Sequence, residues 1–281
     1  MPAKLAWNGY GKAAVRLVKV GRARSRHDLS DLTVDMQLQG EFTAAHECGD
    51  NAAVLPTDTM KNTVYALAKT TAVDPPEAFG LVLGRRLLAA CSAAARAVIR
   101  LEAHTWERLG VEGRPHDHAF QRGAAERRIA EVAAERGAET VSAGIEGLAL
   151  LKTTGSGFAG FLRDQFTSLQ DTRDRILATE VSALWRYERE PADWTVAWTS
   201  TRNALITTFA RTESRSVQET LYAMGSAAIG ACPEITEIRL ALPNQHHLLV
   251  DLSAFGLTNV NEVFVATREP YGRIEGVVAR E

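Results

Sequence analysis

The sequence predicts an α+β fold made of two related units in tandem, each an antiparallel sheet with its helices on one side. Apolar and polar residues alternate along residues 32–38 and again along 238–242, a pattern typical of strands with one face on a core. Both halves of the 281-residue chain share one order: a strand pair, a helical region, then a further strand. We therefore expect the units to span residues 1–140 and 141–281.

Three segments have the spacing and the start signals of helices. Asp74-Pro75 supplies an N-cap and a first-turn proline ahead of apolar residues spaced about four apart. Ser216-Val217-Gln218-Glu219 fits the capping box, and its helix should end before Cys232-Pro233. A third helix is predicted over residues 60–69, directly after Thr57-Asp58-Thr59, whose residue types are common N-caps.

Two stretches look irregular. The polar stretch 110–128 contains Gly113, Pro115 and two histidines, so we expect a long connection or an edge-strand excursion there. Arg136-Gly137-Ala138-Glu139 interrupts the periodicity, which predicts that the two units join between residues 135 and 145.

The composition favours a globular protein with a small-molecule ligand. Hydrophobic residues make up 46% of the chain and charged residues 23%, which is close to the average of globular domains. The formal net charge is only -2, so no electrostatic surplus attracts nucleic acid or an anionic membrane. We expect neither as a partner.

The compartment is expected to be the cytoplasm. Residues 1–8 lack the apolar core of a secretory signal, and the most apolar stretch, 81–99, is interrupted by three arginines. The last four residues do not include the Ser-Lys-Leu peroxisomal address. The cysteines are odd in number and scattered, so we expect reduced, buried thiols at Cys48, Cys91 and Cys232.

The starts of two helices and one alternating segment are the places where chemistry is expected. Unpaired N–H groups at a helix start can hold an anion, which singles out Thr57-Asp58 and Val217-Gln218. In residues 244–252 the alternation puts His246 on the face of Leu248 and Val250, which predicts a less solvated imidazole. A satisfied core histidine explains the same pattern and is the commoner case.

Three further residues have ordinary interpretations when each is taken alone. Lys12 is expected to be a solvated surface lysine, Arg175 an exposed arginine in a weak ion pair, and Phe158 a core aromatic beside a turn. Each interpretation is sufficient without any functional role.

Neither a metal site nor a nucleotide cofactor is predicted. His116-Asp117-His118 and His246-His247 offer imidazoles, but no further spaced ligand completes a site. No glycine-rich phosphate loop is present in the sequence. An enzyme with this sequence is therefore expected to work without metal or organic cofactor.

Five segments, in the same order along the chain, resemble the urate oxidases (uricases). The resemblance runs from Tyr10 nearly to the C-terminus. The segments are Tyr10-Gly11-Lys12 with Val15-Arg16-Leu17; Thr57-Asp58-Thr59 with Lys61-Asn62-Thr63; Leu151-Lys152-Thr153-Thr154 with Phe158; Asp174-Arg175-Ile176-Leu177; and Leu242-Pro243-Asn244 with His246.

This resemblance implies both a fold and an activity. The fold would be the tunnelling fold (T-fold) in tandem, with four chains stacking their sheets into a barrel and active sites lying between subunits. The activity would be cofactor-independent oxidation of urate by molecular oxygen, giving 5-hydroxyisourate and hydrogen peroxide.

The resemblance also implies roles for nine residues. Phe158 would stack on the purine, Arg175 and Gln218 would bind its edge, and the Val217 backbone would add a hydrogen bond. The remaining roles concern oxygen and protons: Asn244 and Thr57 would hold oxygen over the ring, Asp58 would contact the substrate, and Lys12, Thr57 and His246 would form a proton relay.

Two other functions stay open at this point. A metal-dependent purine or pterin hydrolase of similar fold would recruit His116, His118 and His246. A non-catalytic purine-binding oligomer would use Arg175, Gln218 and Phe158 for binding, and its Lys12 relay would have no function.

Overall fold

The computed structural model describes residues 3–281 and divides into two compact units. The first unit contains the chain up to Gly144 together with Arg186–Thr195. The second contains Ile145–Trp185 and Val196–Glu281. The short return of residues 186–195 to the first unit is not signalled by any composition change in the sequence.

The first unit is an antiparallel sheet with helices on one face. Its strands are neighbours in the order β1-β2-β3-β4, and α3 packs on β3 and β4 while α2 packs on β1. Its elements are β1 (Tyr10–Gly21), β2 (Asp28–Gly40), α1 (Thr43–Glu47), α2 (Thr57–Thr70), α3 (Pro76–Ala90), β3 (Ala94–Val111) and β4 (Arg114–Glu135).

The second unit repeats this plan. Neighbouring strands follow the order β5-β6-β7-β10, β7 and β10 are antiparallel, and α5 packs on both of them. A small antiparallel pair, β8-β9, stands apart. The elements are β5 (Ala138–Lys152), β6 (Leu177–Tyr187), α4 (Trp194–Arg211), α5 (Val217–Ala231), β7 (Ile235–Ala241), β8 (His247–Leu249), β9 (Phe264–Ala266) and β10 (Glu275–Ala279).

The α+β prediction is confirmed, and its physical basis is the buried face of each sheet. Val34 and Leu38 of β2 are fully buried, as their alternation predicts. Glycines let the helices lie close to the strands: a Cβ at Gly80 would come within 2.8 Å of Val132, and one at Gly225 within 2.6 Å of Val278. Each helix therefore depends on a missing side chain for its approach to the sheet.

The starts of α3 and α5 agree with the sequence to within a residue, whereas α2 begins at Thr57, three residues before the predicted start. α5 begins at the predicted capping box, because the Ser216 side chain accepts the Glu219 N–H at 3.1 Å. The reciprocal bond is displaced, since the Glu219 carboxylate accepts from the Arg215 N–H at 2.9 Å. α3 is capped by Pro75 and not by Asp74.

The structure answers the predictions about irregular and buried positions. Residues 110–128 are not a long connection, the first of the two predicted forms: β3 and β4 continue through them as one long hairpin that turns at Glu112-Gly113. Where an interruption is predicted after residue 135, Arg136-Gly137 forms the tight turn into β5. All three cysteines are free thiols, as expected, but Cys48 is exposed.

Among residues 3–281, no helix combines the length and the apolar composition of a membrane-spanning segment.

A polar network on the other face of the first sheet centres on the buried carboxylate of Asp31. Arg16 and Arg122 both donate to Asp31, and Arg122 Nη2 lies 3.1 Å from His104 Nδ1. A guanidinium group only donates, so His104 Nδ1 accepts and its proton resides on Nε2, 2.7 Å from Thr33 Oγ1. Burial, and then the charge of Arg16, lower the pKa of His104.

This lowered pKa gives stability a pH dependence of known sign. Below about pH 6.5 the unfolded chain takes up a proton at His104 that the folded chain refuses, so stability falls until the pH passes below the folded pKa. We predict that His104→Gln makes the thermal unfolding midpoint fall less between pH 7 and pH 5. Above about pH 8 the difference between the unfolding midpoints of the two proteins should no longer change with pH. If that difference were the same at every pH from 5 to 8, the assignment to His104 would be contradicted.

Candidate functional site

A β-bulge turns Lys12 towards the helical side of the first sheet. Lys12 pairs with Met36 and Val15 with Val34, so the register shifts between Lys12 and Val15, where Ala14 has φ 55°. Directly paired residues share a face, and Met36 is buried on the side that carries the helices. The bulge thus re-aims Lys12 away from the face that unbroken alternation would give it. Lys12 is half-buried, so it is less exposed than the fully solvated lysine that its residue type alone predicts.

Tyr10 fixes this end of β1 against the segment that leads into α2. Its hydroxyl accepts the Leu55 N–H at 2.8 Å, and its ring meets Phe42 edge-on at 4.8 Å. Burial, followed by interaction with Cys91, raises the pKa of Tyr10 to about 12. The phenol therefore stays protonated, and its bond ties the strand end that carries Lys12 to the segment two residues before Thr57.

The start of α2 presents Thr57 and Asp58 without a side-chain cap. The N-cap is Pro56, so the predicted capping by Thr57-Asp58-Thr59 is wrong. The Asp58 carboxylate accepts from Lys61 Nζ at 2.5 Å and from Asn62 at 2.8 Å. The hydrogen bond and charge of Lys61 lower the pKa of Asp58, with a smaller contribution from the charge of Lys12. Lys12 and Asp58 therefore belong to one electrostatic cluster.

In the second unit, Phe158 lies on a segment fixed on both sides by backbone bonds. Phe158 and Thr172 exchange hydrogen bonds at 2.8 and 2.9 Å, and Gly157 N donates to Ser214 O at 2.7 Å. The ring is half-buried and stacks on Phe161 with centroids 4.9 Å apart and planes 8° apart. A flat aromatic platform results. A cavity of about 310 Å³ opens beside it.

Arg175 is a desolvated cation beside this platform. Its guanidinium carbon lies 5.5 Å from the centroid of the Phe158 ring, and its backbone N–H donates to Ser156 O at 2.7 Å. Burial lowers the pKa of Arg175, and its Nε is buried without a hydrogen-bond partner among residues 3–281. The predicted exposed arginine in an ion pair is wrong. An unpaired buried donor on a planar cation instead fits a planar anionic ligand.

Val217 and Gln218 occupy the first turn of α5, as predicted. The Val217 side chain is buried and Gln218 is exposed. The first N–H groups of a helix have no partner within it, so this turn offers a backbone donor next to a side-chain amide.

Asn244 is a buried polar residue, and His246 follows two residues later. Asn244 exchanges backbone bonds with Gly272 at 2.8 and 3.4 Å, and Thr267 donates to the His246 carbonyl through both its N–H and its hydroxyl. The predicted alternation here is corrected. Only His247–Leu249 forms a strand, and Leu248 is 56% exposed, so the pattern does not mark a buried face within the chain.

The nine residues singled out by the sequence fall into two sets. Each unit holds one set, and the contacts above describe each set by itself. Sequence reasoning quoted Tyr10 only within the Tyr10-Gly11-Lys12 segment and gave it no role, although its hydroxyl accepts the Leu55 N–H. It did not single out Ser214, whose carbonyl accepts the Gly157 N–H next to Phe158. The first-unit set is Lys12, Thr57 and Asp58; the second-unit set is Phe158, Arg175, Val217, Gln218, Asn244 and His246.

The histidines near the β3–β4 turn contact each other without forming a metal site. The rings of His116 and His118 lie 4.6 Å apart, and His27 lies 5.8 Å from His118. Across residues 3–281, no group of three or more His, Cys, Asp or Glu side chains is arranged to hold a metal ion.

Comparison with known proteins gives one consistent result. The family model described as Uricase matches residues 8–133 and 141–275. The chain is 48% identical to the uricase of Arthrobacter globiformis over 99% of its own length and 90% of the relative's. It is 36% identical to the uricase of Danio rerio, with 97% and 94% covered.

Solved structures agree with these sequence matches. A crystal structure of uricase from Arthrobacter globiformis superposes with a TM-score of 0.95 at 47% identity, covering 100% of this chain and 96% of the other. A urate oxidase structure from Bacillus sp. TB-90 has a TM-score of 0.83 at 20% identity, covering 97% of this chain and 100% of the other, which supports the fold alone.

The Tyr10 bond is testable without a ligand. We predict that Tyr10→Phe speeds amide hydrogen exchange at Leu55 roughly five- to tenfold, as expected when a hydrogen bond worth about 1 kcal/mol is lost. Exchange is read by mass spectrometry on peptides covering residues 53–60. The matched control is Tyr65→Phe, whose hydroxyl instead donates to Arg16 O at 3.2 Å. Unchanged Leu55 exchange in Tyr10→Phe would refute the link.

Proposed function

The chain belongs to the uricase family, and we propose that it oxidises urate with molecular oxygen and water to 5-hydroxyisourate and hydrogen peroxide. One observation carries the proposal: beside the Phe158 ring, the Nε of the partly buried Arg175 is buried without a hydrogen-bond partner among residues 3–281, and a planar anion would supply one. The family likeness supports the reaction, and this geometry supports the place where the substrate binds.

Substrate recognition follows from the chemistry of the second-unit set. Urate is a flat anion near neutral pH, so its ring stacks on Phe158 while its charged edge accepts from Arg175. The Gln218 amide offers a donor and an acceptor to the neighbouring edge, and the Val217 N–H adds one more donor. Because Arg175 is desolvated, its attraction for the anion is stronger than that of an exposed arginine.

The reaction with oxygen requires a group that removes a proton from urate, and we assign this task mainly to the first-unit set. Molecular oxygen has a triplet ground state, so urate reduces it most readily by one electron at a time. Removal of a second proton from the urate monoanion makes it a better electron donor. We assign this proton transfer to Lys12 acting through the Thr57 hydroxyl, with His246 completing the relay and Asp58 contacting the substrate.

The remaining steps balance without any other reactant. The radical pair recombines to a urate hydroperoxide, which expels hydrogen peroxide, and water then adds at the vacated carbon to give 5-hydroxyisourate. Asn244 and Thr57 hold oxygen, and later water, over the ring. Urate supplies both electrons, so the proposed reaction uses no metal or organic cofactor.

The proposed assembly is a homotetramer of tandem T-fold chains whose sheets stack into a barrel, with active sites between subunits. The single chain leaves several large apolar side chains exposed, and association of chains would bury apolar surface of this kind. Phe166 is 82% exposed, Phe255 75% and Val260 67%. A site between subunits also explains why the nine residues are divided between two separate units of the chain.

The proposed compartment is the cytoplasm. Cys48, Cys91 and Cys232 are all free thiols, a state that fits a reducing environment.

The division of labour between the two sets gives the principal test. We predict that Lys12→Met lowers kcat by about 100-fold or more, the usual range for loss of a proton-transfer group, with little change in urate affinity. Arg175→Ala should weaken urate binding as well, because it removes a ground-state contact. Turnover is followed by urate absorbance, and affinity by anaerobic equilibrium binding.

Lys19→Met is the matched control for the lysine variant. Lys19 lies on the same strand, and its amine donates to Thr71 O at 2.8 Å, remote from the proposed relay. Its activity should stay close to that of the unaltered protein. Equal losses of binding and turnover in Lys12→Met and Arg175→Ala would contradict the separate roles.

The intersubunit site has its own test. If one chain supplies Lys12 and another supplies Arg175 to the same site, oligomers that mix Lys12→Met and Arg175→Ala chains contain some intact sites. We therefore predict that co-expression of these two weak variants restores part of the activity. Mixing Lys12→Met with Thr57→Ala should restore none, because both changes lie in the first-unit set. Absence of recovery in the first mixture would place each site within one chain.

A further inference from the structure

Ser214 lies between α4 and α5 and joins the Phe158 segment to the start of α5. It is 1% exposed. Its backbone pairs with the segment in a short parallel bridge: Ser214 N donates to Gly155 O at 2.9 Å, and Gly157 N donates to Ser214 O at 2.7 Å. The backbone of Ser214 therefore holds the residues immediately before Phe158.

The side chain of the same residue holds the start of the helix. Ser214 Oγ donates to Ser216 O at 2.9 Å and accepts from Thr220 Oγ1 at 2.7 Å. Thr220 is fully buried in α5, and Ser216 is its N-cap. One hydroxyl group thus ties the turn before α5 to the first turns of that helix, where Val217 and Gln218 lie.

The connection extends to Arg175. Ser156, which is bridged to Ser214, accepts the Arg175 N–H through its carbonyl at 2.7 Å. The platform, the guanidinium and the helix start are therefore linked through backbone bonds that converge on Ser156 and Ser214. A shift of the α5 start relative to Phe158 would change the width of the proposed purine site.

We propose that Ser214 is a positioning residue for urate binding, which sets the spacing between the Phe158 ring and the Val217-Gln218 turn. The inference rests on the proposed substrate roles of those residues. Ser214 itself need not touch the purine; its effect is on geometry, to which catalysis in a preorganised site is sensitive.

Other bonds brace the region when this hydroxyl is removed. Lys152 Nζ donates to Thr212 O at 2.6 Å, and Asp174 accepts from the Thr154 hydroxyl at 3.0 Å and the Gly155 N–H at 3.1 Å. The backbone bonds of Ser214 do not involve its side chain. Ser214→Ala is therefore expected to fold and to lose only the tie to α5.

The test measures the binding of a purine that is not expected to undergo the proposed oxidation, so that binding is separated from turnover. Xanthine, which lacks the 8-oxo group of urate, serves as the probe. We expect Ser214→Ala to raise the KM for urate and the Kd for xanthine about tenfold, the order expected when buried hydrogen bonding is lost, with little change in kcat. Thr220→Val removes the bond that the two hydroxyls share, together with the bond from Thr220 Oγ1 to Ser216 O at 3.3 Å. It should also raise both values, and the effect of the double variant should be smaller than the product of the two single effects, because the shared bond can be lost only once.

The control is another buried hydroxyl in the same unit. Thr201 is fully buried, and its hydroxyl donates to Ala197 O at 2.8 Å within α4. Thr201→Val should lower the thermal midpoint without changing the xanthine Kd. A Ser214→Ala protein with unchanged Kd, or with a change matched by Thr201→Val, would overturn the positioning role.

A parallel measurement on Arg175→Ala separates this inference from the proposed site. If Arg175→Ala weakens xanthine binding and Ser214→Ala does not, the positioning role fails and the site stands. If neither variant changes the Kd, the site assignment fails, and the positioning role fails with it.

Discussion

The structure of the proposed site depends on one partly buried cation. Placing a guanidinium group out of water costs free energy unless its donors are satisfied, yet the Nε of Arg175 is buried without a partner and desolvation lowers the pKa of this residue. A backbone hydrogen bond from Arg175 N to Ser156 O, 2.7 Å long, anchors the residue at this position. In the proposed function, a planar anion beside Phe158 would supply the acceptor that Nε lacks.

In the first unit the constraint is the orientation of the Lys12 side chain, which is long and flexible. A regular strand would put Lys12 on the face opposite the helices, and the bulge at Ala14 reverses this. Tyr10 then fixes the strand to the segment preceding Thr57 through a hydroxyl that burial keeps protonated. A bulge and one hydrogen bond therefore govern the positions of Lys12 and of the segment that precedes Thr57, the residues proposed as base and relay partner.

Local sequence signals predicted the elements well and the environment of the site poorly. The Ser216 cap needs only its own neighbours, and the alternation in β2 needs only one buried face, so both were predictable. The bulge places an alanine at positive φ, for which no residue preference gives warning. The burial of Arg175 depends on residues distant in sequence, so its default interpretation as an exposed residue failed. The long connection predicted for residues 110–128 as one of two forms was wrong, because the polar, glycine-containing tip of the β3–β4 hairpin resembles a loop.

The most direct test of the central claim is an aerobic assay of urate with protein stripped of metal by chelation. Urate loss, oxygen uptake and peroxide formation are measured together. We predict that metal-stripped protein turns over at the original rate and forms one peroxide for each urate and each oxygen consumed. Loss of activity that returns on adding a metal ion, or urate loss without peroxide, would contradict the proposal. That proposal requires only the urate anion bound at Arg175 and the amine of Lys12, without a metal ion.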